Sequence, residues 1–226
     1  MTETLAQDHR SGLWYRQGSY DQNTIRAVKD YHELRIGAAD ITLDIGAHLG
    51  AFSNYAAGCG ATVVSYEPAP SSFALLSKNL GTVDRVTLHN AAVVGHYNDE
   101  INFYLNTGMN HGLNSSVERH GREIVTVNAE NILKVLKHVK PTVVKIDCEG
   151  AEYELFEAML GDVGLPLWKD RVRAFAVEWH FSRKGWREIA KRRHQELLEL
   201  GFSEAKAPKL TGKSWATVAV YRREAA

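Results

Sequence analysis

The run Asp44-Ile45-Gly46-Ala47-His48-Leu49-Gly50, with Glu67-Pro68 further along, is the part of this sequence best suited to holding a cofactor. A strand that enters a glycine turn and then a helix is the usual setting for a nucleotide-like ligand. Glycines serve there because, without a Cβ, they let the backbone approach the ligand and tolerate positive φ. The spacing is Asp-x-Gly-x-x-x-Gly, not the Gly-x-Gly-x-x-Gly of dinucleotide sites. An acidic residue about 20 positions beyond the turn is placed to hydrogen-bond ribose hydroxyls, and Glu67 stands there. A carboxylate at the head of the loop, Asp44, repels phosphates, whose natural place is a helix N-terminus. It suits an ammonium or a sulfonium instead. S-adenosylmethionine carries adenosine, an α-amino group and a positive sulfur, and so meets each requirement. Asp44, Glu67, Asn90, Asp147 and Glu178 all fall at or near strand ends, where a doubly wound sheet binds its ligands. Together they outline a polar cleft.

These residues need an alternating framework to position them. Period-two and β-branched patterns predict strands over 41–45, 62–67 and 86–89, the last extended over 91–94. Further strands are expected over 101–106, 123–127, 142–147, 173–179, 202–207 and 214–222. Helical periodicity predicts helices over 51–58, from a cap at Ser71 or Ser72 through Leu80, and over 129–139, 151–160 and 185–200, with Gly201 as the C-terminal cap. Residues 23–34 read as a helix covering the sheet or the cofactor mouth, and residues 1–12 as frayed. The expected fold is α/β: a doubly wound, mostly parallel seven-stranded sheet ending in an antiparallel hairpin. One domain spans 1–226, with an N-terminal helical cover at 1–38 and a small β insertion at 95–127. The polar loop 107–116 lies within that insertion.

The leading motif and Ser65-Tyr66-Glu67-Pro68 resemble motif I and its acidic partner in class I S-adenosylmethionine-dependent methyltransferases. Val144-Lys145-Ile146-Asp147-Cys148-Glu149-Gly150-Ala151-Glu152 closely resembles the Lys-Ile-Asp-x-Glu-Gly-Ala-Glu signature of the FkbM family. Val177-Glu178-Trp179-His180 matches the Glu-x-His ending often found on that family's next strand, and Ser115-Ser116 before a Val-Thr-Val strand also fits. Asn128-Ala129 departs from the Leu-Asp common at the following helix. The resemblance runs from about Tyr20 to Phe202. It implies a Rossmann-like class I fold and methyl transfer, usually to a hydroxyl oxygen of a sugar, polyketide or other metabolite.

Such chemistry asks little of side chains, because alignment alone supplies up to ~7–11 kcal/mol. Removing the acceptor's proton needs a base. Asp147, Glu149 and His180 are the catalytic candidates, and His180 is favoured as the one side-chain type that titrates near neutrality. Asp147 is expected near the transferring methyl, and an ion pair is the ordinary reading for Lys145 and Glu149. Asp44, Gly46, Ala47, Gly50, Glu67 and Pro68 are assigned to the cofactor, with Asn90 and Ser116 on its adenine side. Tyr20, Glu178 and His111 are assigned to the acceptor. Asp147, Glu149, Glu178 and His180 also form an oxygen-rich set of the kind that binds Mg²⁺. Nothing in the sequence demands an ion, and none is expected.

Composition narrows the partners. Among 226 residues, Lys+Arg and Asp+Glu are both 27, so no net field favours nucleic acid or an acidic membrane. The cluster Lys184, Arg187, Lys191, Arg192 and Arg193 reads as a solvated helix face. Cys59 and Cys148 show no metal or redox spacing. The N-terminus lacks the pattern of a leader, and no apolar run approaches the ~18 residues of a membrane span. The expectation is a soluble, cytoplasmic enzyme with a small-molecule acceptor and no nucleic-acid or membrane partner, self-association being left open.

Overall fold

The computed structural model describes residues 4–106, 114–118 and 121–223. Strands β1 (Leu5–Gln7) and β2 (Trp14–Arg16) pair antiparallel where the sequence predicts a frayed terminus. Asn79 holds this short hairpin in place, bonding the Trp14 backbone N–H and carbonyl at 2.8 and 3.0 Å. Helix α1 (Asp21–Ala27) and a 3-10 helix (Val28–Leu34) follow, matching the expected covering segment.

Strand β3 (Ile41–Ile45), helix α2 (Ala51–Gly58), strand β4 (Thr62–Tyr66), helix α3 (Pro70–Leu80) and strand β5 (Val86–His89) then alternate as predicted. Helix α3 starts from Ala69 with Pro70 in its first turn, and neither Ser71 nor Ser72 caps it. Proline's fixed φ and missing N–H suit that first position.

After β5 the chain leaves the main sheet. The expected extension of that strand is a separate one, β6 (Ala92–Val94). It pairs parallel with β8 (Glu123–Asn131), which pairs antiparallel with β7 (Glu100–Leu105). Pairing with β6 carries β8 to Asn131, so the helix expected from 129 begins only at α4 (Ile132–Val139). Asn131 caps it, its side-chain oxygen accepting from the Leu133 N–H at 2.9 Å. Asparagine is among the strongest residues for this role.

The remaining elements are β9 (Val143–Ile146), α5 (Glu152–Leu160), α6 (Leu165–Trp168), β10 (Ala174–His180), α7 (Trp186–Glu199), β11 (Ser203–Lys206) and β12 (Ala216–Arg222). Helix α6 is one turn long, too short to leave a periodic signal. The main sheet has seven strands in the order β11-β12-β10-β9-β3-β4-β5. The five from β10 to β5 run parallel, and β12 is antiparallel to both β10 and β11. This is the predicted doubly wound sheet with its C-terminal hairpin. Strand order reverses between β3 and β9, and the cleft above that switch point is where such sheets bind ligands.

Both faces of the sheet are covered, so its central strands are mostly apolar. Val144, Ile146, Phe175 and Val177 pack on one side with Leu136 and Phe156. Their neighbours Val143, Ala174 and Ala176 pack on the other with Leu34 and Phe52. Gly50, preceding α2, has φ +93°, and a Cβ there would meet Leu76 and Leu80 methyl carbons at 2.7 and 2.8 Å. Gly50→Ala should therefore lower the unfolding free energy by about 2–4 kcal/mol through backbone strain and overpacking. Urea titration followed by circular dichroism measures this, and an unchanged midpoint would contradict it.

Candidate functional site

A row of polar side chains crosses the three central strands on one face. Asp44 of β3 is in register with Lys145 of β9 and Ser65 of β4. The Lys145 ammonium lies 3.2 Å from Asp44 Oδ1 and 3.3 Å from Asp147 Oδ2, and donates to the Gly46 carbonyl at 2.7 Å. Ser53, on α2, donates to Asp44 Oδ2 at 2.5 Å. Burial works against the Lys145 charge, but the Asp44 and Asp147 carboxylates outweigh it and raise its pKa.

The row anchors the glycine loop. The N–H groups of Gly46 and Ala47 both donate to the Tyr66 carbonyl, at 3.0 Å each. Gly46 has φ +81°, and a Cβ there would overlap the Asp147 carbonyl oxygen. Only glycine lets the two strand ends come so close. His48 donates its backbone N–H to Glu67 Oε2 at 2.8 Å, and Ala69 donates to Oε1 at 2.8 Å. Burial nonetheless pushes the Glu67 pKa up to about 7.

Beside this loop lies a cavity of about 300 Å³, within the range of small-molecule sites. Its walls include the predicted residues Gly46, Ala47, Glu67, Pro68, Ser116, Asp147, Glu149, Glu178 and Tyr20. Helix α1 and the 3-10 helix close one side through Asn23, Val28 and Tyr31.

Four predicted residues stand elsewhere. Asp44 is fully buried and committed to Lys145 and Ser53, so it braces the loop from beneath instead of facing a ligand. Gly50 packs on α3, as described above. Asn90 bonds the Glu67 carbonyl at 2.9 Å and so positions that residue from behind. His180 sits behind the wall, 1 % exposed. Its backbone N–H donates to Glu152 Oε1 at 2.8 Å, and its Nδ1 lies 3.1 Å from the same oxygen. Burial opposes the imidazolium, but the Glu152 and Glu149 carboxylates overcome that and raise its pKa well above the usual range. A ring that already holds its proton is a poor base, so the sequence preference for His180 gives way to the carboxylates of the wall. His111 lies outside the described residues.

Lys145 and Glu149 do sit in ion pairs, with different partners: Glu149 Oε1 lies 3.5 Å from His180 Nε2. Cys148 borders the cavity, but burial pushes its thiol up, which disfavours the thiolate. The basic cluster on α7 is not a uniform face either. Arg193 is buried and paired with Glu157 and Glu196, and Arg187 lies over the Phe181 ring.

The sequence also missed a buried network. Arg16 on β2 forks onto Asp21 at 2.8 and 3.0 Å and reaches His48 Nε2 at 2.9 Å. Arg16 can only donate, so Nε2 accepts and the neutral ring carries its proton on Nδ1. Burial holds the His48 pKa down at about 4, consistent with a neutral ring. His48 borders the cavity and its buried Nδ1 has no hydrogen-bond partner. Three residues from separate elements carry no sequence spacing that would reveal them.

A mostly parallel seven-stranded sheet of this order, with its cavity at the switch point, defines a Rossmann-like class I methyltransferase fold. The model of the methyltransferase FkbM domain matches residues 44–204, and the chain belongs to that family. It is therefore a methyltransferase whose cofactor is S-adenosylmethionine. Among solved structures, a provisionally named transferase of Pyrococcus horikoshii is 13% identical with TM-score 0.54, over 98% of this chain and 71% of that one. A provisionally named rRNA-methylase of Clostridium thermocellum is 10% identical with TM-score 0.51, over 92% and 97%. At these identities the likeness is one of fold. No curated protein matches the sequence. Among the described residues no helix is long and apolar enough to cross a membrane.

Replacing Lys145 by methionine would leave Asp44 buried without its counter-charge. Lys145→Met should cost about 3–5 kcal/mol of stability, and the double variant Lys145→Met/Asp44→Asn should recover part of that loss. Chemical denaturation of the two variants tests the pairing.

Proposed function

We propose that the chain transfers a methyl group to a hydroxyl oxygen of a small molecule, a sugar, polyketide or other metabolite. The observation that carries this reading is the acidic wall: Asp147, Glu149 and Glu178 all border the cavity that Glu67 borders too. Gly46, Ala47, Glu67, Pro68 and Ser116 are the cofactor contacts in this reading, with Asp44, Gly50 and Asn90 holding them in place. The chemistry of these groups fits the cofactor. Glu67 offers carboxylate oxygens to ribose hydroxyls, and the unpartnered His48 Nδ1–H suits a carboxylate such as that of the methionine moiety. When bound, S-adenosylmethionine supplies an activated methyl group.

The chain's own residues orient the acceptor and take its proton. Asp147 is the natural contact, since its side chain is 27 % exposed while Lys145 fixes one of its oxygens. The covered cavity of about 300 Å³ favours a metabolite over a polymer, as does the zero net charge. The same carboxylates suit an amine, so nitrogen is the competing acceptor atom.

Asp147→Asn should lower turnover by roughly 10²–10⁴, the usual contribution of a positioned proton acceptor, and leave cofactor affinity within about threefold. Methyl-labelled S-adenosylmethionine offered with hydroxyl and amine acceptors reads both the rate and the atom. Full turnover in the variant would remove Asp147 from the mechanism.

Cofactor affinity should also depend on pH. Glu67 ionises near pH 7 in the folded chain, and its carboxylate is the form that accepts ribose hydrogen bonds. Binding of S-adenosylhomocysteine should tighten roughly tenfold from pH 6 to pH 8, whereas Glu67→Gln should flatten that profile. The effect on stability has the opposite sign. The raised pKa means that Glu67 costs stability progressively as pH rises above its unfolded value and through 7. Calorimetry at several pH values tests the binding, and an equal slope in wild type and variant would discard the Glu67 assignment.

A further inference from the structure

We propose that Asp147, Glu178 and His180 form a binding site for one divalent cation at the acceptor end of the cavity. One carboxylate oxygen from each acid and one ring nitrogen of His180 lie within 4.8 Å of one another. Ligands held at about 2.0–2.6 Å from an ion stand roughly 4–5 Å apart when they oppose each other across it. The three atoms are thus already spaced for an ion between them.

The fold explains the convergence. Glu178 and His180 are two apart on β10, so they share a face of the strand. Val177 is in register with Ile146 on β9, which places Asp147, just past the end of β9, beside Glu178. Three residues from two neighbouring strand ends therefore meet at one point.

A second observation is independent of the acidic pair. The His180 side chain is 1 % exposed and its Nε2 makes no hydrogen bond. Its ion-pair partner, Glu149 Oε1, stands 3.5 Å away, beyond the usual hydrogen-bond distance. The other nitrogen is fixed: Nδ1 lies 3.1 Å from Glu152 Oε1. A carboxylate that orients histidine through one nitrogen and leaves the other for an ion is the usual outer support of a metal ligand. A histidine binds an ion through a deprotonated nitrogen, so uptake of the ion is coupled to the state of the ring.

Charge favours an ion as well. Asp44, Asp147, Glu149, Glu152 and Glu178 gather around Lys145 and His180. Five carboxylates thus face one lysine and one histidine. Two carboxylates and an imidazole suit first-row divalent ions and Mg²⁺, and three protein ligands leave positions open for another molecule. A cation here supplies Lewis acidity to an acceptor hydroxyl. That role rests on the methyl-transfer reading, whereas binding of the ion does not.

The test uses Mn²⁺ as the probe. Protein stripped with a chelator is titrated with Mn²⁺, and the free ion is followed by electron paramagnetic resonance. Calorimetry with S-adenosylhomocysteine is run on the same samples. One Mn²⁺ should bind per chain, roughly tenfold or more weakly in Glu178→Gln, and S-adenosylhomocysteine affinity should stay within about threefold. Asp147→Asn, at a more exposed position, provides a second variant if Glu178→Gln unfolds. No Mn²⁺ uptake at about 1 mM, or equal uptake by wild type and variants, overturns the site. S-adenosylhomocysteine binding without Mn²⁺ binding defeats the cation site alone, and the reverse result defeats the cofactor reading alone.

Discussion

The buried ammonium of Lys145 is the interaction on which the site depends. It joins β9 to β3 through Asp44, holds the first carbonyl of the glycine loop and reaches Asp147 on the cavity wall. Removing charges from water is expensive, and a buried pair is repaid only by close geometry and further hydrogen bonds. Ser53 supplies one of these and the Gly46 carbonyl another. The glycine loop and the strand end that bears Asp147 are thereby fixed to a single charge. Two groups that must be aligned for transfer are set by one contact, so neither is left to its own loop's freedom.

The contrast between Asp44 and Glu67 shows how one framework divides work between carboxylates. Asp44 lies under the loop with a full counter-charge, whereas Glu67 is held by two backbone N–H groups and, among the described residues, pairs with no cation. The first is a strut. The second keeps its capacity to accept further hydrogen bonds at the cavity surface, which is what a ribose-bearing ligand asks of it.

The architecture was legible because local and global signals agreed. Strands such as β3 and β9 are largely apolar, and helices between them carry their own periodicity. The Asp147–Glu152 block and the glycine loop pointed to the family without any structure. What escaped the sequence was non-local. Asp44 read as a ligand-facing acid because nothing in its own segment reveals that Lys145, from a strand about 100 positions away, sits in register with it. Arg16 and Asp21 drew no notice in the sequence, since their partner His48 lies on another element. The break after β5 was hidden in a run of strand-forming residues, 86–89 and 91–94, parted by Asn90 alone. In that run the change of sheet depends on Asn90 bonding back to the Glu67 and Pro68 carbonyls.

The Arg16–Asp21–His48 network joins the N-terminal segment to the glycine loop. The family match begins at residue 44, yet Tyr20, Asn23 and Tyr31, which help close the cavity, lie before it. Residues that precede the matched stretch thus form part of the cavity wall. Arg16 and Asp21 tie that segment to the glycine loop through a single side chain, His48.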